Sequence, residues 1–227
     1  MGNDIKYFNF PIQLLENFLN KHLDVLTDIL DYAVYTHSLK LEYGTALKRI
    51  EVSANYFNVQ LGSAKRVLDN GKLLSDSISE NSPKVGLNLS IYWDYRNNEK
   101  TEFDKVCLLA FLGIKSIIQN KAYCKIDNRF LLARMDGKAK SVDFPALSKC
   151  IGKYANEYQT KKIKSALRNS WGLCTYGRYT RGFYVSFSMN LDSLVFEAEK
   201  RRKSTKEKQH KKLENEAVKK ALLKLGQ

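Results

Sequence analysis

Long apolar runs, histidine, proline and paired cysteines are all scarce in this chain of 227 residues, and each shortage removes a class of protein. No run of about 18 apolar residues occurs, so no membrane-spanning helix and no membrane partner are expected. The start, MGNDIKYFNF, has neither a basic leader nor an apolar core and does not read as a signal peptide. Gly2 lacks the Ser or Thr that myristoylation needs at position 6, where Lys6 stands. The expected location is cytoplasmic. Cys107, Cys124, Cys150 and Cys174 are 17, 26 and 24 residues apart, with no CxxC pair, and His22, His37 and His210 are the only histidines. Zinc-ligand spacing is missing, so packed, reduced thiols are expected, with no metal and no cofactor.

Catalytic signatures are missing as well. There is no glycine-rich phosphate loop ending in Gly-Lys-Ser/Thr, no Gly-x-Ser-x-Gly, no His-Glu-x-x-His and no EF-hand loop. Rolling-circle initiators and relaxases need a metal-binding His pair near a nucleophilic Tyr, and His22 and His37, 15 residues apart, do not supply it. Arg178, Arg181 and Tyr184 share only composition with the Arg and His constellation of tyrosine recombinases, because no His is near them. The chain reads as non-enzymatic, with no catalytic residue to nominate.

Positive charge is abundant and unevenly placed. Against 24 Asp and Glu there are 38 Lys and Arg, a net +14. Residues 1–120 hold 13 basic and 14 acidic residues, whereas residues 121–188 hold 14 and 4, and residues 198–227 hold 11 and 4. The cationic surface therefore belongs to the second half and the tail, and its expected partner is a polyanion, most simply nucleic acid.

One stretch concentrates that charge on a definite geometry: YQTKKIKSALRNSWGLCTYGRYTRGFYVSF, residues 158–187. Ile163, Ala166, Leu167 and Trp171 form one helical stripe, with Thr160 expected as its cap and Gly172 as its end. Lys161, Lys164 and Arg168 recur three and four apart on another face, with Lys162 beside them. After Gly172 the period becomes two. Residues 173–176 and 183–188 read as strands of a β-hairpin whose tip carries Arg178, Tyr179 and Arg181.

A cationic helix, a short joint and a hairpin with Arg and Tyr at its tip resemble the recognition helix and wing of the winged-helix DNA-binding superfamily. That resemblance implies a helix in the major groove of double-stranded DNA and a hairpin on the backbone or an adjacent minor groove. Lys161, Lys162, Lys164, Arg168, Arg178, Tyr179 and Arg181 would then touch DNA. Lys138 and Lys140, in the loop GKAKS, would add to them. RNA is the alternative partner, with Tyr176, Tyr179 and Tyr184 placed to stack on bases, and a protein-interaction adaptor with a solvated basic tail is the other alternative.

The rest of the chain completes a mainly α (α+β) reading with two small units and a basic tail. In residues 1–97, Pro11 is expected in the first turn of a helix carrying Leu14, Leu15 and Phe18, and a second helix runs from about Leu23 to Ser38. Asp24, Asp28 and Asp31 read as a solvated face near its start. Residues 46–68 read as a helix-turn-helix, with Ser63 capping a helix that offers Lys65, Arg66 and Lys72 outward. Residues 75–84 read as a loop, Val85 to Ile91 as a strand, and Asp94 to Lys100 as a polar connector between units.

In residues 98–190, Thr101 and Asp104 have capping-box spacing ahead of an apolar helix. A short strand at Ala122 to Ile126, a helix capped by Asp127, and another from Asp143 through Ile151 follow. Residues 191–227 read as a basic helical or disordered tail. Two winged-helix-like units in one chain are similar to the plan of iteron-binding plasmid replication initiators. That implies replication initiation or transcription regulation on a plasmid, phage or other mobile element.

Overall fold

The N-terminal strand β1 (Tyr7–Pro11) pairs antiparallel with β2 (Lys84–Asn88), and this ribbon ties together the two ends of the first half. A computed structural model describes residues 6–79, 81–177 and 182–225 of the chain, side chains of 220–225 excepted. Between the two strands lie α1 (His22–Ser38), α2 (Ala46–Tyr56) and α3 (Ala64–Ser77). Thr45 and Ser63 cap α2 and α3 by accepting from the backbone N–H groups of Lys48 and Arg66, each cap contributing about 1 kcal/mol. Alternation in β1 sends Phe8 and Phe10 into the core and leaves Tyr7 and Asn9 outside.

Several expectations for this half are corrected. Pro11 ends a strand, and only a 3₁₀ turn, Ile12–Leu15, follows it; Asn17, at φ 63°, stops the chain from coiling on towards Phe18. The helix α3 runs past residue 75 to Ser77. The alternation read through Ile91 holds only to Asn88. There the Asn88 side chain accepts from the Ser90 N–H and starts α4 (Leu89–Asn97), which buries Tyr92 and Tyr95 at a three-residue interval. Most of the expected polar connector is therefore helix.

The second half opens with α5 (Glu102–Ile118), whose Thr101 and Asp104 form the expected capping box. Next come β3 (Cys124–Ile126), α6 (Asn128–Met135), a 3₁₀ turn (Phe144–Ala146), the short α7 (Lys149–Gly152), α8 (Glu157–Ser170), and the hairpin β4 (Cys174–Tyr176) and β5 (Phe183–Ser186). The expected single helix from Asp143 through Ile151 is divided. Pro145 sits in the 3₁₀ turn, Leu147 is extended, and Ser148 recaps α7 by accepting from Ile151 N–H. The sheet order is β3-β5-β4, all antiparallel. Buried apolar side chains run continuously from Phe8 to Val185, with α5 packed on β2, α6 and α8.

The chain ends in α9 (Leu191–Leu225), about 50 Å long at 1.5 Å per residue. Its first turns bury Leu194 and Ala198 against the hairpin, and every described side chain from 203 to 219 is exposed. Among the described residues no helix is long and apolar enough to cross a membrane. All four cysteines are free thiols; Cys107 and Cys124 are buried, and burial pushes each up to about 11.

Candidate nucleic-acid interface

The helix α8 starts one turn earlier than its apolar stripe suggests. Asn156, in extended backbone, accepts from the Gln159 N–H and is the cap. Thr160 does not cap; it is buried, and its hydroxyl donates back to the Asn156 and Glu157 carbonyls. Thr160, Ile163 and Leu167 form the buried stripe. Trp171 packs beside Phe111 at 4.5 Å between ring centroids. Gly172, at φ 65°, then turns the chain into β4, a backbone conformation glycine adopts without cost.

The remaining faces of α8 carry cations, and each sits differently. Lys161 is exposed and pairs with Glu157 at 2.6 Å, one turn back. Lys162 is exposed and lies 4.5 Å above the Phe103 ring. Arg168 is exposed and donates to the Thr175 hydroxyl at 3.3 Å, which aims it along the hairpin. Lys164 is partly buried between them; its ammonium lies 4.3 Å above the Phe183 ring and donates to the Asn128 side-chain carbonyl at 3.3 Å. Burial, then the nearby Arg168 and Lys161 charges, holds Lys164 below the ordinary lysine range. Together with Tyr158, Ser165, Thr175 and Phe183 these four cations line an open groove of about 760 Å³ between α8 and the hairpin.

Of the other nominated residues, Lys140 is exposed in a neighbouring groove with Lys125, Asp127 and Phe130. Lys138 turns back to the protein and pairs at 3.4 Å with Asp136, a buried carboxylate that also accepts from the Ser148 N–H. Arg178, Tyr179 and Arg181 lie outside the described residues. Gly182, next to them, brings the hairpin so close to β3 that a β-carbon there would meet the Ile126 carbonyl oxygen at 2.6 Å.

Two groups that the sequence reading passed over belong to the same end of the molecule. Lys125 stands on the face of β3 opposite the core, and Arg202 and Lys206 come from α9 beside the hairpin. Strand alternation between the buried Cys124 and Ile126 was the available signal for Lys125. Nothing local to residues 200–206 announces that α9 docks where it does.

In the first half, one expectation is overturned and another is qualified. Asp31 is fully buried rather than solvated, and Arg66, exposed as expected, nonetheless reaches it with two bonds, at 2.7 and 3.0 Å. Asn70 adds a donor at 2.8 Å. Burial pushes the Asp31 carboxyl above its ordinary value, with Asn70 and Arg66 partly offsetting it. All three cations expected to point outward from α3, Lys65, Arg66 and Lys72, are exposed, and Arg66 alone of them pairs with a buried acid.

The chain matches no family model, no curated protein and no solved structure in the three comparisons made. Among the described residues no three His, Cys, Asp or Glu side chains come together as metal ligands.

Proposed function

We propose that this protein binds double-stranded DNA without catalysing a reaction, and that it serves as a replication initiator or transcriptional regulator of a mobile element. The observation that carries this reading is the groove between α8 and the hairpin. Four cations converge there, and among the described residues the groove lining holds no carboxylate; Lys161 pairs with Glu157 one turn back. Lys and Arg on a helix that projects from a packed body suit phosphates and base edges in a major groove.

The order of elements supports the same reading. Three helical segments with an intervening strand, then a cationic helix, then a hairpin whose second strand is central in the order β3-β5-β4, follow the winged-helix plan. The α2-turn-α3 unit of the first half supports a tandem arrangement like that of iteron-binding plasmid initiators, with DNA contact concentrated in the second unit. The distal part of α9, exposed and basic, adds sequence-independent phosphate contacts.

Binding of the intact chain to random duplex DNA across a salt series tests this. With roughly 6 phosphates neutralised, affinity falls about a thousandfold between 50 and 200 mM salt. Replacing Lys161, Lys162 and Arg168 together by Ala lowers the slope of log affinity against log salt by about 2.7, at roughly 0.9 per lost contact. An unchanged slope moves binding to α9. Preference for structured RNA over duplex reassigns the partner, and no salt-sensitive binding at all leaves a protein-interaction adaptor.

A further inference from the structure

The face of the three-stranded sheet turned away from α8 carries a row of side chains that duplex binding does not use. In the strand registers Lys125 lies opposite Tyr184, and Tyr176 lies opposite Tyr184 on its other side. One lysine and two tyrosines therefore stand side by side across β3, β5 and β4. Alternation explains why: Phe183 and Val185 are buried on the core side, so Tyr184 between them faces the other way.

Above this row α9 leaves the sheet, and the two enclose a crevice of about 300 Å³ lined by Lys125, Tyr176, Tyr184, Glu199, Arg202 and Lys206. That volume is at the small end of ligand sites and suits a single nucleotide. Two tyrosines stand in its wall, and three of its charged groups are cations. The Lys125 ammonium lies 5.9 Å from the centre of the Tyr184 ring. The one carboxylate, Glu199, accepts from the Tyr176 hydroxyl at 2.7 Å and lies 3.1 Å from Arg202 Nε, so its charge is answered inside the site.

Tyrosine rings bordered by cations recognise an aromatic ring that carries a phosphate. Bases stack on aromatic side chains whatever their identity, and neighbouring Lys and Arg follow the backbone. We propose that this crevice binds one unpaired nucleotide, with the base on Tyr184 and Tyr176 and the phosphate met by Lys125, Arg202 and Lys206. A free nucleotide offers the same chemistry, but Gly177, at the base of the hairpin, lines both this crevice and the α8 groove. That position favours a single strand adjoining the duplex. The site lies across the sheet from α8; the choice of a strand adjoining a duplex rests on the duplex reading, whereas binding of an unpaired strand is tested without it.

The test is fluorescence anisotropy of the intact chain with labelled oligo-dT on the order of 12 nucleotides long. Oligo-dT is expected to bind at about 50 mM salt, and Tyr184→Leu, which keeps bulk but removes the stacking face, to weaken it about tenfold or more. Tyr184→Phe keeps the affinity, and neither variant changes duplex affinity more than about twofold. Lys125→Ala, an exposed change that leaves the core alone, gives a second loss of several-fold on oligo-dT. Competition by dTMP as strong as by oligo-dT assigns the site to free nucleotide and overturns the single-strand source. Absence of oligo-dT binding overturns the proposal altogether. So does a Tyr184→Leu protein that binds oligo-dT unchanged, or that loses oligo-dT and duplex equally.

Discussion

The helices α3 and α8 are written in the same local grammar, yet one commits its key cation to a buried acid of the body and the other keeps most of its cations for solvent. Each is capped by a short polar side chain, Ser63 or Asn156, and each carries Lys and Arg around a narrow buried stripe. The difference lies on the helix opposite. Asp28 and Asp31 of α1 face α3, and they engage Asn70 and, at Asp31, Arg66. Among the described residues no ion pair joins α8 to a carboxylate of the body; Lys161 pairs with Glu157 of its own helix. Whether a basic helix becomes a surface or a strut is therefore decided by the acids of its neighbour, which sit far away in sequence.

Packing sharpens the contrast, and glycine substitutions give the largest expected effect. At Gly71 of α3, an added β-carbon would lie 2.3 Å from the Tyr35 β-carbon and 2.8 Å from the Asp31 carbonyl oxygen, both fixed to the α1 backbone. At Gly113 of α5 the nearest atom, the Arg134 β-carbon of α6, is 3.2 Å away. Gly71→Ala should cost about 3 kcal/mol or more, well beyond the roughly 1 kcal/mol that Ala gains in helix propensity. Gly113→Ala should cost about 1 kcal/mol. Urea denaturation of both variants measures this, and equal costs would mean that α1 and α3 are not locked more tightly than α5 and α6.

Next in size is the Asp31 and Arg66 pair. Arg66 is 53% exposed while Asp31 is fully buried, so removing the arginine leaves a carboxylate with Asn70 but without its countercharge. Arg66→Ala is expected to cost about 2–3 kcal/mol at neutral pH, less than for a wholly buried pair. Lys161→Ala, which breaks an exposed pair with Glu157, should stay within about 0.5 kcal/mol. The pH dependence separates the two. Asp31 is already raised above 3.8 by burial, and losing Arg66 raises it further. A carboxyl with a raised folded pKa contributes stability that is full below its unfolded value and is lost as pH rises through the folded value. The Arg66→Ala deficit should therefore shrink as pH is lowered from 7 towards 4. A deficit that does not change with pH would show that Arg66 is not answering a charge.

These contrasts also mark how far the sequence could be read. Helix starts at Ser63, Thr101 and Asp127 were legible because a cap and the apolar period that follows it lie within one turn. The hairpin and its register face were legible because β alternation is local. Asp31 was not: its spacing from Asp24 and Asp28 describes one side of α1, and only the arrival of α3, some 35 residues later, buries it. Pro11 was misread for the same reason, since the partner that makes residues 7–11 a strand is residues 84–88. At the candidate interface, Lys161, Lys162 and Arg168 stand exposed as their helical spacing implied. The inward turn of Lys138 and the docking of α9 depend on contacts that no local pattern encodes.

An effect smaller than those at Gly71 and Arg66 bears most directly on why α8 differs from α3. Lys164 is the one α8 cation that the fold partly encloses, and burial, Arg168 and Lys161 hold its pKa below 10.5. A lysine with a lowered folded pKa works against the fold while it is charged, and that cost lifts as pH rises through the folded pKa. Lys164→Met should therefore raise stability at pH 7 by about 0.5–1 kcal/mol, keeping the stem's packing on Phe183, and the gain should fade towards pH 10. The same variant should weaken duplex binding, because a partly desolvated cation beside two others gains most when a phosphate arrives. Thermal melts at the two pH values and the salt series check both halves. If Lys164→Met instead destabilises, the contacts with Asn128 and Phe183 outweigh the crowding of charge, and Lys164 is a strut like Arg66. Stability gained together with affinity lost would mark α8 as a helix whose charge is kept for a partner at the fold's expense.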